Sequence, residues 1–171
     1  VEGESVFKSG VEDYLNSIKK MNALDNGVTV LPAVESCPFY YWSGNYWRGT
    51  LSIHNAHKHI LVIGLKDPAD YFKLPLVSTG KSRYDQYHGE NYVLPYQDLI
   101  DYVKGKGGLT FWAHPEAGRE FSFGKVKSYT GPYHEDLLRA RDYTGFSVFY
   151  EGYGKIGLPG GIWDHELIRY C

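Results

Sequence analysis

Three short runs place a possible metal ligand against an apolar, strand-like segment. Glu35 follows residues 28–34 in "VTVLPAVES", His59 opens residues 59–65 in "HKHILVIGL", and His114 ends "GGLTFWAHP". One carboxylate and two imidazoles form a donor set suited to Zn, Mn or Fe, and a carboxylate can bridge two such ions. A lone histidine beside a strand is more often a hydrogen-bonded structural residue, so the chemistry depends on whether the three converge. His57 is a rival for His59, because "HNAHKH" holds His54, His57 and His59 close together, and a His-rich loop of this kind also reads as a metal site of its own. A second polar stretch, "KSRYDQYHGE", offers Lys81 and Arg83 as possible phosphate-binding cations.

Other familiar chemistry is missing from the chain. It has no Gly-rich phosphate loop, no GxSxG nucleophile turn and no paired CxxC motifs. Its two cysteines, Cys37 and Cys171, are too few to suggest a disulfide framework. Asp164-His165 reads as the start of a helix, and His88 and His134 lie in loop-like surroundings without an evident partner.

The elements that must position these groups follow from periodicity. Ser9 is placed to cap a helix whose stripe is Val11, Tyr14, Leu15, Ile18 and Met21. Strands are predicted at 28–34, 49–53, 59–65, 108–113 and 145–153. A helix begins at Pro95 with Leu99, Ile100 and Val103 on one side, a second runs from Pro132 through Leu138, and "IWDHELIRY" reads as a third. Residues 66–94 resemble an insertion or lid, and 118–133 read as a loop. Apolar strands alternating with helices predict an α/β fold, with 28–34, 59–65, 108–113 and 145–151 as parallel neighbours.

At 171 residues the chain is long enough for one domain with a real core. A net charge of −2 gives no electrostatic case for nucleic acid, and no apolar run has the length of a membrane span. The N-terminus lacks the basic start and apolar stretch of a signal peptide. Aromatic residues are abundant, at 16%, and several gather in "FYYWSGNYW" (39–47), a turn-centred stretch that reads as a stacking platform for sugar or nucleobase rings.

Taken in order, "DNGVTVLPAVES", "HKHILVIGL" and "GGLTFWAHPEAG" resemble the middle of a polymerase and histidinol phosphatase (PHP) domain, and "GFSVFYEGY" with "WDHELIRYC" is similar to the family's next strand and helix. The resemblance covers roughly residues 22–171. It implies a distorted (β/α) barrel around a two- or three-metal cluster of divalent ions, in which metal-bound hydroxide attacks a small phosphorylated substrate. Carried over by position, it makes Glu35 a bridging carboxylate and His59 and His114 metal ligands. The family's opening His-x-His and closing Asp-x-His strands have no counterpart here, so the chain reads as an internal portion of a longer one. Two alternatives stand beside the hydrolase: a PHP-fold binding protein without turnover, and a carbohydrate- or nucleobase-binding domain built on the aromatic loop.

Overall fold

A computed structural model describes residues 5–24, 26–114 and 118–147. The chain opens with α1 (Val6–Ser9) and α2 (Val11–Asn22), divided at Gly10, whose φ of 99° interrupts the helix. Gly10 is therefore the N-cap of α2, the place expected of Ser9. Only Val11 and Leu15 of the apolar stripe are buried, and Met21 is exposed.

The strands form two sheets. In the first, the order is β1 (Ala33–Ser36), β4 (His59–Ile63), β5 (Leu109–Ala113) and β8 (Gly145–Phe146). In the second it is β2 (Tyr41–Ser43), β3 (Ser52–His54), β7 (Val126–Thr130) and β6 (Arg119–Phe123). The helices α3 (Pro68–Phe72), α4 (Leu94–Gly105) and α5 (His134–Arg139) complete the described elements.

The expected (β/α) barrel is not what forms. Four strands at or beside the predicted places share one sheet, although the first forms at Ala33–Ser36 rather than 28–34, which puts Glu35 inside it. β1 pairs antiparallel with β4 and β4 antiparallel with β5, and in this sheet only β5 and β8 are parallel. No barrel closes among the described residues. An apolar run is compatible with burial on both faces or on one, and composition does not separate the two. In β4 the faces differ: Ile60 and Val62 are fully buried, whereas His59, Leu61 and Ile63 are half-buried. That asymmetry belongs to a sheet with one covered face, the usual setting for antiparallel strands.

The connection from β4 to β5 explains the reversal. It leaves at Gly64 and returns at Gly108, and Ile63 faces Leu109 across the pair, so the excursion through α3 and α4 closes where it began. A Cβ on Gly108 would lie 2.8 Å from Val103 Cγ1 and 3.0 Å from the Ile63 carbonyl oxygen, which leaves room only for glycine. Residues 66–94 supply Tyr71, Leu74 and Leu76 to the core. There they meet Leu99, Ile100 and Val103 of α4, Ile60 and Val62 of β4, and Trp112 of β5.

The stretch read as a loop at 118–133 contains the β6–β7 hairpin. All of β6 is exposed, and its sequence "REFSF" lacks the aliphatic residues that signalled the other strands. The aromatic run 39–47 divides: Phe39 is buried, Tyr41 and Trp42 lie in β2, and Trp47 is 86% exposed on the β2–β3 loop. Among the described residues no helix is long and apolar enough to cross a membrane. The predicted final helix and most of the predicted strand 145–153 lie outside the described residues.

Candidate metal centre

Antiparallel pairing brings the three candidate ligands to one place. Because β4 and β5 run in opposite directions, the first residue of β4 stands beside the last of β5, and His59 pairs with Ala113. Glu35 of β1 pairs with Leu61, two residues along β4 from His59. Cross-strand partners share a face, as do residues two apart on a strand, so Glu35 and His59 project from the same side of the sheet.

His114 needs a further device. It follows Ala113, and simple alternation would send it to the opposite face, where Trp112 packs against Tyr96 of α4. Its backbone instead takes φ 34°, an unusual value for a residue with a Cβ. Such a conformation costs on the order of 1–2 kcal/mol. It turns the ring back toward Glu35.

The resulting contacts are close. Glu35 Oε1 lies 2.7 Å from His59 Nδ1 and 3.1 Å from His114 Nε2, and the two ring nitrogens are 3.3 Å apart. Ligands held about 2.0–2.2 Å from a divalent ion stand about 3.3–3.6 Å apart in a tetrahedron and about 2.8–3.1 Å apart as neighbours in an octahedron. The triangle thus already has nearly the edges that a coordination sphere requires. The shorter edges both end on Glu35, whose side chain is 45% exposed and has room to shift by a few tenths of an ångström. The three residues can hold a metal ion.

His59 is also oriented from behind. Its Nε2 lies 3.3 Å from the Ala56 carbonyl oxygen, placed to accept a hydrogen from that nitrogen in the tautomer that leaves Nδ1 bare for a cation. A backbone carbonyl on the far nitrogen is the usual support of a metal-binding histidine. The hydrogen bonds from His114 and then His59 hold the Glu35 carboxyl well below the usual carboxylate range, against the opposing effect of burial. Glu35 is consequently a carboxylate at any ordinary pH.

The remaining candidates are placed elsewhere. His57 stacks edge-on to His59, with ring centroids 5.9 Å apart, and against Phe121, but it does not join the three-residue group. Its backbone N–H donates to Thr130 Oγ1. His54 lies flat on Tyr41 and contacts Ser43 Oγ through Nε2. Arg83 binds Asp98 of α4, with Nε 2.8 Å from Oδ2 and Nη2 2.8 Å from Oδ1. Lys81 is exposed on the same segment. His88 pairs with Asp85 at the surface, and His134 opens α5. Asp164, His165 and Cys171 lie outside the described residues.

Cys37 is poorly suited to act as a nucleophile. Burial pushes its thiol up to about 12, and the S–H points to the carbonyls of Phe39 and Asn55. A thiol of that kind holds almost no reactive thiolate near neutrality.

Lys58 is a buried charge that the order of motifs along the chain does not mark. Only 4% exposed, it forms an ion pair with Asp136 at 2.5 Å and lies 3.7 Å from Glu90. Its ammonium also sits 5.4 Å from the ring centres of Tyr96 and Tyr133. A lysine between two histidines reads as a solvated loop residue. The signal was its spacing: Lys58 is two residues before Ile60 and therefore on the covered face.

No family model, curated protein or solved structure matches the chain.

Proposed function

We propose that the protein is a metal-dependent hydrolase of phosphoesters, built on Glu35, His59 and His114. The observation that carries this reading is the convergence of one carboxylate oxygen and two imidazole nitrogens within 3.3 Å of each other. Two histidines and a carboxylate form a set that holds a metal and leaves coordination positions open, as catalytic sites require. Zn, Mn or Fe suits these donors, and a carboxylate with a second oxygen can reach a second ion. When bound, the cation supplies Lewis acidity that polarises a phosphoryl oxygen and activates water.

The chain's own residues do the rest. Ala56 fixes the His59 ring, the φ of His114 aims its ring inward, and Glu35 keeps the centre anionic, so that a cation is favoured. The half-exposed Glu35 side gives a substrate an approach. The resemblance of the three motifs to the PHP family supports a phosphoester as substrate rather than a peptide.

A second reading, a metal-binding protein without turnover, is favoured by one observation. Arg83, the expected phosphate clamp, is already engaged with Asp98. The two readings separate on one experiment. The intact protein is stripped with chelator, reloaded with Zn, Mn or Fe(II), and assayed with p-nitrophenyl phosphate and bis(p-nitrophenyl) phosphate. Metal-dependent hydrolysis, reduced by orders of magnitude in His114→Ala, is the expected result. Metal binding without hydrolysis supports the second reading, and absence of metal binding overturns both.

A further inference from the structure

A cleft of about 460 Å³ is lined by residues of β2, β3, β7 and α5 and by the segments that carry Lys58 and Glu90. Its size is that of a small-molecule site. Its floor is polar: Lys58 pairs with Asp136, Asn55 Nδ2 donates to Glu90 Oε1 at 3.0 Å, and Glu90 in turn lies near Lys58. Its walls are aromatic, with Tyr41, Tyr92, Tyr129 and Tyr133 among the lining residues. His54 lies parallel to Tyr41, with centroids 4.6 Å apart, and presents its edge toward Tyr129.

Two features show that this cleft is more than a packing remnant. Tyr92 and Tyr129 are 60% and 51% exposed, so their rings are not held there by the core. Tyr92 also has φ 50° and Asn55 has φ 64°. Asparagine tolerates that region, but for tyrosine it is an outlier that has to be held in place by its surroundings. Backbone strain concentrated at a concave, polar-floored surface is a mark of ligand sites.

We infer that this cleft binds a neutral saccharide, with the tyrosine rings against the sugar's C–H faces and the Asn55–Lys58–Glu90–Asp136 floor against its hydroxyls. Charge selects the class. The lining holds Glu90, Glu135 and Asp136 against Lys58 and Arg139, so an anion such as phosphate meets net repulsion. A small organic cation competes with the ammonium that Lys58 already places there. An apolar ligand would desolvate five charged groups without replacing their hydrogen bonds. Vicinal hydroxyls both donate and accept, and this floor offers both kinds of partner. None of Glu35, His59 and His114 lines the cleft.

The test is a titration of the intact protein in excess chelator, which removes any metal contribution. Calorimetry and saturation-transfer NMR are run with glucose, galactose, mannose, N-acetylglucosamine, maltose, cellobiose and lactose, and with inorganic phosphate, adenosine and tetramethylammonium as comparators. At least one sugar is expected to bind with Kd of about 1–10 mM or tighter, the range open to a small neutral ligand. Tyr129→Ala and Tyr92→Gly should each weaken it by about tenfold or more, the loss of one ring contact. Tyr92→Gly should leave the melting temperature unchanged or raised, because glycine takes φ 50° without strain. Binding lost with stability retained separates a ligand contact from a structural role. No sugar bound at about 50 mM, far above that range, would overturn the inference. So would sugar binding indifferent to both substitutions, or a comparator binding while the sugars do not.

Discussion

Replacing His114 with alanine removes one of three metal donors while sparing the core. Structural zinc sites with four protein ligands bind with roughly 10–16 kcal/mol, or about 2.5–4 kcal/mol per ligand. Three donors at distances of 2.7, 3.1 and 3.3 Å therefore support about 8–12 kcal/mol, a Kd in the micromolar to nanomolar range. Losing one ligand should raise Kd by about 10²–10³-fold. Isothermal titration calorimetry of chelator-stripped protein with Zn and Mn measures this directly, and His59→Ala and Glu35→Gln should behave alike. A cation competes with protons for the same three donors, as metal ligands in general do. Affinity should accordingly rise with pH. Thermal midpoints of the metal-free variants should change little, since the three side chains are only partly buried. Wild-type protein with no divalent binding tighter than about 1 mM, or three variants that all bind like wild type, would refute the coordination argument.

Three further expectations concern the metal-free fold. The Glu35 carboxyl is depressed in the folded state, so its stabilising contribution is present above the unfolded value, near pH 4.3, and is lost as pH falls toward the folded value. Glu35→Gln should flatten the acid limb of a denaturation series below about pH 4.5, by under about 1 kcal/mol, because solvent screens a half-exposed carboxylate; an unchanged acid limb would discard the ring–carboxylate bonds. Trp112→Ala in the centre of the core should cost about 3–5 kcal/mol in urea unfolding, and Trp47→Ala on the exposed loop should stay within about 0.5 kcal/mol; equal costs would contradict the placement of β5. Cys37, with its thiol pushed up to about 12, should be alkylated by iodoacetamide at pH 8 about a thousandfold more slowly than an ordinary thiol, read at that site by peptide mass spectrometry; a rate like that of free cysteine would show the thiol to be accessible.

Local chemistry made some elements legible. The Leu99, Ile100 and Val103 stripe behind Pro95 marks α4, and all three residues are fully buried there. Phe111 and Trp112 after Gly108 mark β5 in the same way. Where the signal depends on partners, local pattern misleads. The polar strand β6 read as loop because its stability comes from hydrogen bonds to β7 rather than from an apolar face. The burial of Lys58 has no local signature in its charge, because its counter-ions, Asp136 and Glu90, are distant in sequence.

Residue type and order determined which side chains have metal-ligand chemistry: a glutamate and two histidines, each beside a short apolar run. They could not determine strand direction, because the same apolar residues serve a parallel strand covered on both faces and an antiparallel one covered on a single face. Pairing decided it. An antiparallel β4 sets its first residue beside the last of β5, and this is how a histidine that opens one strand meets a histidine that comes after another. The final turn of His114 rests on a backbone angle of 34°, a conformation that sequence periodicity does not encode and that the surrounding packed strands must hold in place.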